Sequence, residues 1–244
     1  MLSILYYLFT LLQVSFWFIM SVIVLIITYP FDKSRRWVHE CSRCICILLY
    51  CVPPFIRRTI DGLENIEKGK PYVMVMNHNS GVDIFAAYKI PLNFRWVSKR
   101  EVFKVPFMGW LLPIHGDIPI ERGNPAKAME KVLREGKLWL SRGATVAIFP
   151  EGTRSKTGEM GRFKAGGFMM AKELGATILP VVMDGTNRVV KRKSFLFNWK
   201  NRITVRVLDP ISAEEVAATD TRDLLEKVET QIHEQLEAIR GMKH

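Results

Sequence analysis

The chain has 244 residues, of which 48% are hydrophobic and 24% charged, and 35 Lys and Arg stand against 24 Asp and Glu for a formal net charge of +11. That length suits one substantial α/β domain with an appendage. The basic excess calls for an anionic partner (nucleic acid, anionic headgroups or phosphorylated substrates), while four cysteines clustered between Cys41 and Cys51 supply no disulfide framework.

From Met1 to Tyr29 no side chain is charged, and Gln13 is the one strongly polar interruption. About 20 apolar residues cover a bilayer core, so this run is long enough to span or to lie deeply embedded. A secretory signal fits poorly: no basic residue precedes the run, it is too long for an h-region, and no small-x-small site precedes Pro30. Lys33, Arg35, Arg36 and Arg43 follow, which keeps this flank cytoplasmic by the positive-inside rule. Ile45 to Ile56 is apolar again but too short to span. Ended by Pro53-Pro54 and closed by Arg57 and Arg58, it reads as half of an interfacial or re-entrant helix pair. Cys41, Cys44, Cys46 and Cys51 read as small buried hydrophobes, since only His39 lies near enough to complete a zinc site; no metal is expected. Residues 1–58 are therefore assigned to membrane-associated helices and 59–244 to an α/β domain.

Asp61-Gly62 and Lys68 to Pro71 are turn signals around a connector. Tyr72 to Met76 then reads as a strand, Asn77 to Gly81 as a polar turn, and Asp83 opens a helix. His78 sits just past the strand end. The Asp83 carboxylate is close enough to accept an imidazole N–H, which fixes the tautomer and frees the other ring nitrogen to take a proton. Ser80-x-x-Asp83 equally fits a capping box in which Asp83 satisfies backbone donors, and the residues leave both roles open.

Asn93 to Ser98 is a further strand, and Lys99-Arg100-Glu101 after it reads as a solvated helix start. Asp117 to Glu121 is a short strand that Pro119 demotes to an edge. Arg122 carries a planar fork suited to phosphate oxygens or, equally, to a surface ion pair. Asn124 as N-cap, Pro125 at the first position and Met129, Val132, Leu133, Trp139 and Leu140 at helical spacing mark a packing helix closed by Gly143. Strand Ala144 to Ile148 delivers Phe149-Pro150-Glu151-Gly152-Thr153-Arg154-Ser155. There Gly152 lets the backbone turn, exposed N–H groups can cradle an anion, and Arg154 adds a full charge. Glu151 would repel a phosphate unless it accepts from a glycerol hydroxyl or orients Arg154.

Together, Asn77-His78 to Asp83, Gly116 to Arg122, Phe149 to Ser155 and Ile178-Leu179-Pro180-Val181-Val182 resemble, in order, the signature blocks of the glycerolipid acyltransferase family, which includes 1-acylglycerol-3-phosphate acyltransferases. The resemblance spans roughly Asp61 to Gly185. It implies catalysis by His78 with Asp83, acceptor binding by Arg122, Glu151, Gly152, Thr153 and Arg154, an acyl-tunnel position for Lys99 and a reserve phosphate ligand in Lys164. It also implies two N-terminal helices seated in one leaflet. The chain departs from the family's pattern at Pro119, usually apolar, and at Glu121, usually Asp.

Lys156 to Gly161 has the composition of a mobile loop, and a helix follows Gly166-Gly167 and ends near Gly175. Thr177 to Met183 reads as a buried strand in which Pro180 marks an end or a bulge. Arg188, Lys191, Arg192 and Lys193 precede Phe195, Leu196, Phe197 and Trp199, which suits an anionic membrane surface better than nucleic acid, for which no recognition motif appears. Ile203 to Leu208 is a last strand and Ala213 to Arg240 one long helix, with His233 near its apolar face. Of the five histidines, only His78 is read as having a positioned acid.

The fold expected is α/β, a single domain with a mixed sheet flanked by helices, behind N-terminal membrane helices. The function implied is transfer of an acyl group from acyl-CoA or acyl carrier protein, used as co-substrate with no cofactor, to the free hydroxyl of 1-acylglycerol 3-phosphate at the cytoplasmic face of a membrane. Alternatives are another lysolipid acceptor, a hydrolase using Ser80 or Ser155, and a non-catalytic lipid-binding protein of the inner leaflet.

Overall fold

The uncharged N-terminal run forms one helix, α1 (Leu2–Thr28), and the chain turns back through residues 29–35 into α2 (Arg36–Cys51). The computed structural model describes residues 2–51, 56–121, 123–155, 157–190, 196–198 and 200–242. The helices pair, with the Tyr6 hydroxyl donating to the Leu49 carbonyl at 2.7 Å. α2 begins at Arg36 rather than at Ile45, because the residues buried on one face recur at helical spacing: the apolar Val38, Ile45, Cys46 and Leu49, with His39 and Ser42 among them. Arg43 and Glu40 pair on the other face at 3.2 Å. Of the four cysteines only Cys46 is buried, while Cys44 and Cys51 are exposed, which corrects the reading of all four as buried. Pro53-Pro54 lies outside the described residues.

Arg57 and Arg58 do not close a helix. They belong to a strand the sequence did not announce, β1 (Ile56–Asp61). There follow β2 (Val73–Met76), α3 (Val82–Ala87), β3 (Phe94–Lys99), a 3-10 turn at Arg100–Lys104, α4 (Met108–His115), β4 (Ile118–Ile120), α5 (Pro125–Ser141) and β5 (Thr145–Ile148). Then come α6 (Gly166–Glu173), β6 (Ile178–Asp184), α7 (Thr186–Val189), β7 (Asn201–Val207), α8 (Ala213–Ala218) and α9 (Thr221–Gly241). The strands form one sheet in the order β1-β7-β6-β2-β5-β3-β4, parallel throughout except for the antiparallel pair β6 and β7. This is the expected mixed sheet flanked by helices.

The pleat sends alternate residues to opposite faces. Met74, Met76, Leu179 and Val181 join α2 and part of α1 in one core, whereas Val73, Val75, Ile178 and Val182 join α5, α6, α8 and α9 in the other. Both faces being covered, β2 shows no polar alternation. Each such side chain taken out of water contributes about 1.5–3 kcal/mol before entropy is charged against it.

Local signals place the element ends. The Asn124 side chain accepts from Lys127 N at 3.0 Å, capping α5 with Pro125 in its first turn. The helix expected over Ala213 to Arg240 is broken into α8 and α9, because Thr219 is extended and Asp220 caps a new start through Arg222 N. His233 is exposed rather than set against the core. Pro180 lies within β6 and not at its end. Ile178 pairs with Ile211 but Val181 with Val207, so the opposing chain carries an extra residue there, and only the Pro180 carbonyl bonds, accepting from Leu208 N at 3.0 Å.

Candidate active site

Parallel neighbours deliver their carboxyl ends to one edge of a sheet, where the following loops form a crevice. Since β2 lies between β5 and β6, the loop after Met76 is flanked by the loop after Ile148 and by the end of β6. Asn77 ties the first loop down: its side chain donates to Met183 O at 2.8 Å and accepts from Met183 N at 2.7 Å. Asn79 donates to the same carbonyl at 2.8 Å. His78 is thereby held between two anchored residues.

Its ring Nδ1 lies 2.8 Å from Asp83 Oδ2. The same oxygen accepts from Asn79 N and Ser80 N, each at 2.7 Å. Both roles left open by the sequence are therefore filled by one oxygen: Asp83 caps the turn into α3 and orients the imidazole. The Asp83 side chain is fully enclosed and that of His78 is 15% exposed, so the pair has its acid inside and the outer face of its ring toward solvent. With Nδ1 donating to the carboxylate, Nε2 carries the lone pair.

The second loop is fastened to the first. Ser155 N donates to His78 O at 2.9 Å. Glu151 does neither of the things its charge suggested, for it clasps backbone: Oε1 accepts from His78 N at 2.6 Å and Oε2 from Gly161 N at 2.8 Å. Burial pushes its carboxyl up to about 7, while the two N–H groups pull the other way. The loop around residues 157–161, expected to be mobile from its composition, is held at Gly161 and again by Arg240, which donates to Gly158 O at 2.6 Å and pairs with Glu159 at 3.2 Å. Lys156 lies outside the described residues.

Arg154 is exposed, and its Nη1 lies 3.7 Å from where a Cβ on Gly81 would stand, so the guanidinium overhangs the His78 loop. Lys164 Nζ is 3.3 Å from the corresponding point on Gly152, whose φ of +69° requires glycine-like freedom. Among the described residues neither cation forms an ion pair. Two positive groups thus stand on or against one turn, an arrangement of the kind that can hold an anion. Thr153 is exposed on the same turn. Lys99 ends β3 at the same sheet edge but beyond β5, and no hydrogen bond among the described residues joins it to the His78 loop. Arg122 lies outside the described residues, and Glu121 pairs with Arg100.

Several participants escaped the sequence reading. The Phe149 ring stacks on His78 with centroids 3.9 Å apart and planes 13° from parallel, and Trp96 stacks behind Phe149 at 5.2 Å. Nothing in the spacing of these residues signals the stack. A second histidine also has an acid: His115 Nδ1 is 2.8 Å from Asp117 Oδ1, and His39 Nδ1 is 2.8 Å from His115 Nε2, so the reading of His78 as alone in this respect is corrected. His115-x-Asp117 was visible in sequence. His39, His115, Asp117 and Arg95 are all buried, and Arg95 donates to the carbonyls of Ser34 and Arg35, so this cluster binds the α1–α2 hairpin to the sheet and offers no ring to a substrate. Ser80 Oγ and Ser155 Oγ accept from Val82 N and Gly158 N at 3.0 and 2.9 Å, and neither is bonded to the His78 ring. The hydrolase alternative thus lacks an activated nucleophile. Among the described residues, no group of three or more His, Cys, Asp or Glu is placed to hold a metal.

The acyltransferase family's sequence model matches residues 57–184, an interval that holds both loops. A chloroplastic 1-acyl-sn-glycerol-3-phosphate acyltransferase of Arabidopsis thaliana is 35% identical over 176 residues, covering 69% of this chain and 48% of that protein. A 1-acyl-sn-glycerol-3-phosphate acyltransferase of Pseudomonas aeruginosa is 38% identical over 154 residues, 62% of this chain and 59% of that protein. The chain thus spans about half the length of the first of these curated relatives and about three-fifths of the second. The crystal structure of a 1-acyl-sn-glycerophosphate acyltransferase from Thermotoga maritima superposes with a TM-score of 0.73 at 22% identity, covering 98% of this chain and 99% of that one, and so has the same fold.

Proposed function

The chain belongs to the acyltransferase family, and on that premise we propose that it transfers a fatty acyl group from acyl-CoA or acyl carrier protein to the free hydroxyl of 1-acylglycerol 3-phosphate, giving phosphatidic acid. In this reading His78 and Asp83 are the catalytic pair. His78 Nε2 takes the hydroxyl proton as the alcohol oxygen attacks the thioester carbonyl. The tetrahedral intermediate collapses with cleavage of the C–S bond, and the imidazolium returns the proton to the departing thiolate. Asp83, 2.8 Å from Nδ1, holds the tautomer and stabilises the imidazolium while it exists. Arg154 and Lys164 hold the acceptor's phosphate, with Arg122 and Thr153 as further contacts and Lys99 at the acyl side. Glu151 and Gly152 set the shape of the turn that carries Arg154.

The observation that carries this reading is the bond from Ser155 N to His78 O. It fastens the cationic turn to the base, so that an alcohol and a phosphate on one small molecule can be engaged together. Holding reactants in register in this way supplies several kcal/mol of barrier reduction beyond the ~10²–10⁴-fold available from general-base catalysis.

The α1–α2 hairpin seats the protein in the membrane, so the membrane-associated part ends before Ile56, which begins β1 in the sheet, and not at residue 58. α1 is long and apolar enough to cross a bilayer, and its outer residues, such as Leu12 and Ile26, are more than 60% exposed. The positive-inside rule applied to Lys33, Arg35 and Arg36 supports a site on the cytoplasmic face. The test is an assay of the purified full chain against a panel of lysolipids with both acyl donors. Phosphatidic acid from lysophosphatidate is expected, with His78→Ala folded and nearly inactive. Wild-type rates in His78→Ala would end the mechanism, and turnover restricted to a phosphate-free acceptor would end the proposed substrate.

A further inference from the structure

Beside α1 lies an apolar surface away from the His78 loop. The 3-10 turn Arg100–Lys104 and the start of α4 expose Val102, Val105, Met108 and Trp110, with Lys104 exposed among them. Between these residues Phe107 has φ 58° and ψ −64°, and Met108 N donates to Pro106 O at 2.7 Å. This is a γ-turn at a non-glycine residue, a strained conformation that persists only when its surroundings enforce it. The turn sets Phe107 inward against the core that α1 and α2 share, while its neighbours stay outside.

The surface is continuous with α1. The Phe18 ring lies 6.0 Å from both Phe107 and Trp110, and those two are 5.3 Å apart. Arg35, in the α1–α2 connection, donates to the Pro113 and Ile114 carbonyls at 2.9 and 3.1 Å and so fixes the far end of α4 to the same hairpin. The segment also follows directly on β3, whose carboxyl end belongs to the sheet edge that carries the His78 and Arg154 loops.

We propose that residues 102–110 form a second membrane-inserting element, seated at the headgroup and acyl boundary of the leaflet that receives α1, with Lys104 facing anionic headgroups. Exposed apolar side chains joined to an apolar helix, with a cation beside them, match a lipid surface. A second contact made from the carboxyl edge of the sheet holds the His78 loop at the plane where a lysolipid hydroxyl lies. The inference rests on the membrane reading of α1.

The test uses the full chain with its four cysteines replaced by Ser or Ala and a single nitroxide-labelled cysteine introduced as Met108→Cys, as Ile26→Cys on α1, or as Leu138→Cys. Leu138 is an exposed apolar residue on α5, on the opposite face of the sheet. The proteins are bound to phosphatidylcholine–phosphatidylglycerol vesicles, and spin relaxation by oxygen is compared with relaxation by a water-soluble nickel chelate. Labels at 26 and 108 are expected to favour oxygen severalfold over the label at 138. An embedded 26 with 108 as aqueous as 138 overturns the inference and leaves the reading of α1 standing. An aqueous label at 26 overturns both.

Discussion

Replacing Asp83 with Asn separates charge from geometry at the site. One carboxylate oxygen accepts all three donors, from the His78 ring, Asn79 N and Ser80 N, while Oδ1 is buried without a partner. An Asn side chain can place its oxygen where Oδ2 stands and keep every bond, with its NH₂ in the place of the unpartnered oxygen. Only the negative charge is lost. An imidazolium formed beside a carboxylate at about 4 Å is favoured by ~4 kcal/mol at an effective dielectric of ~20. Removing that term should lower kcat by about 10³-fold. KM should hold, because Asp83 is fully enclosed and touches no substrate. Stability should change little, since the backbone donors stay satisfied and a buried charge is removed. Asp83→Ala, by contrast, orphans two backbone N–H groups at ~1–3 kcal/mol each and should lower Tm clearly. The assay is steady-state kinetics with vesicle-borne lysophosphatidate and an acyl-CoA, alongside thermal unfolding of both variants. An Asp83→Asn protein with wild-type Tm and more than about a tenth of wild-type kcat would refute the charge-stabilised base.

The Phe149 stack is worth about 0.5–1.5 kcal/mol, so Phe149→Leu should cost up to ~10-fold in kcat and Phe149→Tyr should restore it; equal rates in all three would remove the stack from the mechanism. Glu151 has a folded pKa of about 7, above its ordinary 4.5, so the folded state holds the proton more tightly than the unfolded chain. The resulting stability is fully present below about 4.5 and is lost as pH rises through about 7. The Tm of the wild type should therefore fall relative to Glu151→Gln across that interval, and a pH-independent difference would contradict the assignment. Gly185 has φ +88°, and an added Cβ would stand 1.9 Å from the Arg202 carbonyl oxygen. Gly185→Ala should therefore cost more than ~1 kcal/mol in denaturant unfolding, with the loss traced to the β6–β7 pair; an unchanged midpoint would refute the strain argument.

The features legible in the sequence are those whose partners lie within a turn or two of each other. His78 and Asp83 are five residues apart, and Asn124 caps a helix that starts at the next residue, so backbone periodicity alone brings each pair together. β2 and β5 announced themselves as strands because each is a short, mostly apolar run ending at a turn, and their parallel pairing is what the structure adds. β1 did not, since Ile56–Asp61 carries charges at three of its six positions and needs β7, far along the chain, to become a strand. Tertiary structure alone decided how Glu151 clasps His78 N across 73 residues, that Phe149 lies under the imidazole, and that the apolar segment after β3 meets α1. These contacts depend on strand order and register, which are chosen by the combined burial of many residues and are written in no single stretch of the chain.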